Sequence, residues 1–247
     1  MPEYFKFNHD PAYPYRLFGI PFTEMVKFEQ GQLYFLDKTN SHSMLNIPNE
    51  YYIGAYPVTQ SLFKYIVEYN PSRYEGDFRP VDSISWNELI EENGFFSKIN
   101  LLHSNKTTEN RWIFNLPYHY QWLYAANKNN LGVYTEFSGG KEINDLGWCN
   151  TNALTTMPVG LKSPNKSGIF DLCGNVHELC LDDFHLGKDL IIEKYNFPLG
   201  LSNLTKLMKG GSFKSSPVSC HLMANSLMEA NKTNDDIGFR LCLVNID

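Results

Sequence analysis

The spacing of apolar positions changes character along the chain. Residues 51–59 are aromatic and β-branched and read as a strand ending near Pro57. Thr59 then stands where a helix N-cap belongs. Leu62, Phe63, Ile66 and Val67 follow at helical spacing until Asn70-Pro71 stops the run. Ser85-Trp86-Asn87-Glu88 has the form of a capping box, with Leu89 and Ile90 supplying an apolar side. Residues 98–110 are polar and predict a surface loop. Leu116-Pro117 precedes a short helix over 120–126. From about residue 127 onward Gly, Asn, Ser and Pro recur every few positions, which predicts ordered loops held by short strands. Residues 237–244 alternate enough to form a closing strand. The first 20 residues, rich in Tyr, Phe and Pro, lack periodicity and read as an extended arm on a single domain spanning 1–247. The expectation is a loop-rich α+β domain with few strands and two or three helices.

Composition narrows the partners. Apolar residues make up 43% of the 247 and charged residues 19%, a globular balance with enough chain for a sizeable core. The net charge is −6 and no basic run is long enough to track a nucleic-acid backbone, so no nucleic-acid partner is expected. No apolar stretch approaches the roughly 20 residues of a membrane helix. Nor does the N-terminus pair a basic region with an apolar one. Five dispersed cysteines, at 149, 173, 180, 220 and 242, then read as reduced thiols in a cytoplasmic protein.

Several segments, taken in order, resemble the formylglycine-generating (sulfatase-modifying factor) family. They begin with Tyr56-Pro57-Val58-Thr59, Asn70-Pro71-Ser72, Arg79-Pro80-Val81 and Ser85-Trp86, followed by Leu116-Pro117, Trp122 and Tyr124-Ala125-Ala126. The closer matches come later, in Pro158-Val159-Gly160, Pro164-Asn165, Gly168-Ile169-Phe170-Asp171 and Gly174-Asn175-Val176-His177-Glu178. Gly210-Gly211-Ser212-Phe213 and Ile237-Gly238-Phe239-Arg240 complete the series. The resemblance runs from about residue 50 to the C-terminus and implies a C-type-lectin-like fold. Tyr118, His119 and Asn127 depart from the family's usual Leu-Pro-Thr-Glu and Ala-Ala-Arg pattern.

Members that oxidise a substrate cysteine hold Cu(I) on two thiolates, ligands whose softness suits that ion. Laid on this chain, the second cysteine is Cys220, but Ser215 stands in place of the first, and Met228 replaces a basic residue. A serine hydroxyl is a poor Cu(I) ligand, so the copper-dependent reaction is not expected and Cys220 reads as a small buried remnant. The resemblance also implies a structural calcium site from Asp171, Gly174, Val176 and Glu178, the middle two through carbonyl oxygens, a hard-oxygen set of the kind calcium takes. His177, Glu178, Asp182, Asp183 and His185 form the densest polar cluster. Leu181 sits where a zinc helix would need its second histidine, so a packed or surface imidazole is the plainer reading.

Two functions follow from these readings. One is a binding module for an unknown protein or small-molecule ligand, with recognition on the exposed loops of 214–236. A branch of the family serves as variable proteins of diversity-generating retroelements, and this chain resembles them in ending at a Gly-Phe-Arg strand after such a loop. Ser215, Ser216, Val218, Ser219, His221 and Leu222 are residue types reachable by adenine mutation of Asn codons. With Lys214 they make the candidate contact set. The alternative is an oxidoreductase, or an enzyme tailoring peptides or small molecules, with altered chemistry around Cys220, His221 or the His177 cluster.

Overall fold

The computed structural model describes residues 24–36, 42–104, 112–127, 135–183 and 205–246. The arm expected over residues 1–20 lies outside them, as does His185. One antiparallel sheet runs in the spatial order β1 (Met25–Phe28), β4 (Tyr51–Gly54), β10 (Cys242–Asn245) and β5 (Trp112–Asn115). It places the C-terminal strand between two strands from the first half of the chain. A second sheet runs β8 (Ser226–Glu229), β7 (Thr205–Lys209), β6 (His177–Asp183) and β9 (Ile237–Phe239), with β6 and β9 parallel and the other pairs antiparallel. β2 (Gly31–Leu36) and β3 (His42–Ile47) pair as a separate antiparallel two-stranded sheet. The expected α+β class is what the chain adopts. Its strands are short and more numerous than periodicity suggests, because three- and four-residue strands carry little alternation to read.

The local helix signals act as written. α1 (Gln60–Val67) starts at Thr59, whose side chain accepts the Leu62 N–H at 3.3 Å. α2 (Trp86–Ile90) has the full capping box. The Glu88 N–H reaches Ser85 Oγ at 3.2 Å, and the Ser85 N–H reaches Glu88 Oε2 at 2.8 Å. Two expectations need correction. The polar stretch after residue 98 is not a loop throughout, because α3 (Phe95–Ser104) runs into it and buries Phe95, Phe96 and Ile99 on one side. The closing strand over 237–244 is broken in two, with β9 in one sheet and β10 in the other. At the break, Arg240 turns its side chain into the core.

The helix α4 (His119–Asn127) inserts Trp122, fully buried, between the sheets. A fifth helix, α5 (Ile143–Leu146), is a single turn. Phe63, Phe95 and Phe239 pack with ring centroids 5.3 Å and 5.0 Å apart, joining α1 and α3 to β9. The sheets are further tied by one buried ion pair. Arg240 donates twice to Glu178 of β6, at 2.6 and 2.9 Å, and once each to the carbonyls of Gly54 and Phe170, both at 2.8 Å. Trp122 Nε1 donates to the same Glu178 carboxylate at 2.7 Å.

Candidate functional site

The loop after β7 is held by backbone geometry that only glycine supplies. Gly210 and Gly211 have φ of 85° and 70°, and a Cβ on Gly211 would lie 2.7 Å from Cys220 Sγ. Beyond them, the Phe213 N–H donates to the Asn175 carbonyl at 2.9 Å. The Asn150 N–H donates to the Ser215 carbonyl at 3.0 Å. Residues 212–216 are thereby fixed to two other loops. A 3-10 turn, Pro217–Cys220, carries the chain back inside.

This pinning gathers a polar cluster from three distant parts of the sequence. Ser215 Oγ lies 3.3 Å from His177 Nε2 and 3.2 Å from Ser212 Oγ, and it accepts the Ser212 N–H at 3.0 Å. Ser212 Oγ donates to Asp236 Oδ2 at 2.7 Å. The His177 N–H donates to the Asp236 carbonyl at 2.8 Å, so imidazole and carboxylate are neighbours across the start of β6 and β9. His177 Nδ1 and Asp236 Oδ1 are both buried without a hydrogen-bond partner among the described residues. Burial lowers the His177 pKa below its ordinary value, and the Asp236 charge only partly offsets this. The imidazole is therefore neutral at neutral pH.

The model of the sulfatase-modifying factor enzyme 1-like domain matches residues 19–245. The chain belongs to this family. The curated chaperone protein LppX of Paenibacillus barcinonensis is 26% identical over 260 residues, covering 88% of each chain. Among solved structures, Treponema denticola variable protein 1 aligns with a TM-score of 0.73 at 20% identity, over 89% of this chain and 94% of that one. PvdO from Pseudomonas aeruginosa aligns at 0.69 and 16% identity, over 89% and 94%. CarF aligns at 0.65 and 19%, over 91% and 99%. These structural likenesses establish the shared fold.

Ser215, which the resemblance sets in place of the first copper thiolate, is hydrogen-bonded into the cluster above. Cys220 is fully buried and packs with Cys149, Cys173, Phe137, Ile143 and Leu146. Burial, then the neighbouring Cys173 and Cys149, pushes its pKa far above that of a free thiol, so it is held protonated. All five cysteines are buried and free of disulfides. Among the described residues no group of three or more His, Cys, Asp or Glu is arranged to hold a metal ion.

The expected calcium ligands meet different surroundings. Asp171 is buried with φ of 54°. Its Oδ2 accepts the Gly160 N–H at 2.7 Å, while Oδ1 has no partner among the described residues. Gly174, at φ of 83°, and Val176 lie on the same turn. Glu178 does not fit the role of anchoring ligand, because both its oxygens are bound to Arg240 and one also to Trp122. A guanidinium already supplies the positive charge that a calcium ion would bring there. Two further members of the dense polar cluster also point to different partners. Asp182 faces His119, with Oδ1 3.0 Å from Nδ1, and His177 turns to Ser215.

The candidate contact residues divide by exposure. Lys214, Ser216, Val218 and Ser219 are exposed, with Val218 at 77%, and Ser215 and His221 are half-buried. Leu222 is a correction, being 2% exposed in the core beside Trp122 and Tyr51. Its carbonyl helps bind the buried ammonium of Lys209 at 2.7 Å, together with Ala224 O and Asn225 Oδ1. His221 packs edge-on to Phe137. Lys214 pairs with Asp235, which Arg73 also reaches at 3.2 Å; desolvation pushes the Asp235 carboxyl up, but these two cations and the Tyr74 hydroxyl together hold it below its usual range. Sequence reasoning missed Ser212, Asp235 and Asp236. The two aspartates precede a recognised motif, Ile237-Gly238-Phe239-Arg240, and that adjacency was the available signal.

Proposed function

We propose that this chain is a binding module that recognises a protein or small-molecule ligand through the loop of residues 214–221. The observation that carries this reading is a fixed backbone bearing outward side chains. The Gly210-Gly211 turn, the Asn150–Ser215 bond and the buried Cys220 hold the loop in place, while Lys214, Ser216, Val218 and Ser219 face solvent. A rigid loop can change its exposed residues without loss of fold, as recognition surfaces require. Likeness to a variable protein and to a protein named a chaperone supports binding as the role. The buried, protonated Cys220 and the hydroxyl at Ser215 speak against copper-dependent cysteine oxidation.

A retroelement-diversified protein is the sharper form of this reading, and population sequencing of the gene tests it. Substitutions concentrated in the codons of Lys214, Ser216, Val218, Ser219 and His221, beside a reverse-transcriptase gene and a near-copy of the 3′ coding end, would support it. Leu222 is expected to vary only among apolar residues. Variation spread evenly over the surface, with no such copy nearby, would contradict diversification and leave a fixed binder. The second reading, altered chemistry, draws on the Ser215–His177 contact.

A further inference from the structure

We propose that Ser215 and His177 form a nucleophile–base pair that accepts an acyl or phosphonyl group from an activated ester. The proposal goes beyond ligand binding and rests on the proton arrangement of the cluster. Ser212 has one hydroxyl proton, and its shortest contact, 2.7 Å, sends that proton to Asp236 Oδ2. Ser212 Oγ is then left as an acceptor, a role it also serves for the Lys214 N–H at 3.2 Å. The Ser215 proton has two acceptors in reach, Ser212 Oγ at 3.2 Å and His177 Nε2 at 3.3 Å. The Ser212 N–H, donated to Ser215 Oγ at 3.0 Å, fixes that oxygen beside His177 Nε2.

The histidine is suited to the base role. When Nε2 accepts from Ser215, the ring proton sits on Nδ1, which is buried and unpartnered among the described residues. The free Oδ1 of Asp236 belongs to the residue bonded to the His177 backbone. A carboxylate so placed favours the imidazolium that follows proton transfer, making Asp236 a positioning residue. In the step itself Ser215 Oγ bonds to the carbonyl carbon as its proton passes to Nε2. The ester C–O bond breaks, and the leaving alcohol takes the proton from Nε2. Water repeats the sequence on acyl-Ser215, releasing the acid and regenerating the hydroxyl. No oxidant, reductant or metal is consumed.

Treating the full chain with a fluorophosphonate probe tests the idea, because Ser215 attack on phosphorus expels fluoride and leaves a stable adduct. The expected result is an adduct on the peptide bearing Ser215, absent in Ser215→Ala and unchanged in Ser104→Ala, an exposed serine at the end of α3. Labelling of His177→Gln should be slowed about 100-fold. The labelling rate of the native protein should rise with pH through a midpoint below 6.5, the ordinary histidine value. The charged group that acts on the ring is Asp236, on the segment before β9, while its neighbour Asp235 is paired with Lys214 and Arg73. Asp236→Asn should lower that midpoint further. No adduct at Ser215 on the folded protein would overturn the proposal. So would equal labelling of Ser216 and Ser219, or a rate independent of both His177 and pH. The pH profile keeps the test decisive if the His177 variant folds poorly.

Discussion

Replacing Arg240 by methionine removes the charge that joins the two sheets while keeping most of the apolar stem. Four hydrogen bonds disappear, two to Glu178 and one each to the carbonyls of Gly54 and Phe170. The Glu178 side chain, 1% exposed, then carries an uncompensated charge with only the Trp122 N–H beside it. Breaking a buried pair in this way costs about 3–5 kcal/mol. For a domain of this size each kcal/mol moves the melting temperature by roughly 2–4 °C, so the loss is about 6–20 °C. Urea unfolding and differential scanning calorimetry of the single variants, and of Glu178→Leu with Arg240→Met together, measure it. The double variant should lose less than the sum of the singles, because no lone charge is left behind. Millimolar EGTA should leave the native melting temperature unmoved. A cost under about 1 kcal/mol for Arg240→Met, or a fall of several degrees in melting temperature with EGTA alone, would mean that the ion pair does not hold the sheets together as described.

Burial raises the Asp171 carboxyl to about 6 from its ordinary 3.8, against the bond from the Gly160 amide. The folded state then binds more protons than the unfolded one between those values, so this group costs stability as pH rises from about 4 to about 6, by up to about 3 kcal/mol. Asp171→Asn should gain stability relative to the native chain between pH 4 and pH 7 in urea titrations. Parallel pH profiles would refute this. Gly174→Ala puts a Cβ 1.9 Å from the Trp148 carbonyl oxygen at φ of 83° and should cost more than about 3 kcal/mol, measured as a fall in the urea midpoint. A near-native midpoint would mean that this turn relaxes easily.

Legibility in the sequence followed range. Thr59 with Leu62, and Ser85 with Glu88, act over three residues, and both caps form as their spacing predicts. The Gly210-Gly211 turn was readable as a backbone requirement. The Glu178–Arg240 pair spans 62 residues, and its burial is what divides the closing strand, so alternation alone joined β9 and β10. Leu222 looked like part of the contact loop because it directly follows Ser215 to His221 in the chain, yet it is drawn inward where its carbonyl meets Lys209. Ser215 was noticed as a missing thiol. Its partner His177 lies 38 residues away on a different element, and no local pattern pairs them. The family motifs marked the segments that bring these residues together without specifying the side chains that meet there.

The resemblance implies that a hydroxyl, Ser215, and a buried thiol, Cys220, stand here in place of the family's copper pair. Anaerobic Cu(I) titration against a competing chelator, followed by aerobic incubation with a Cys-x-Pro-x-Arg peptide, tests it most directly. The native chain should take up no stoichiometric copper and oxidise no peptide, with tight copper uptake appearing in Ser215→Cys as a second soft ligand joins Cys220. One tightly bound copper per native chain, together with conversion of the peptide cysteine, would contradict it.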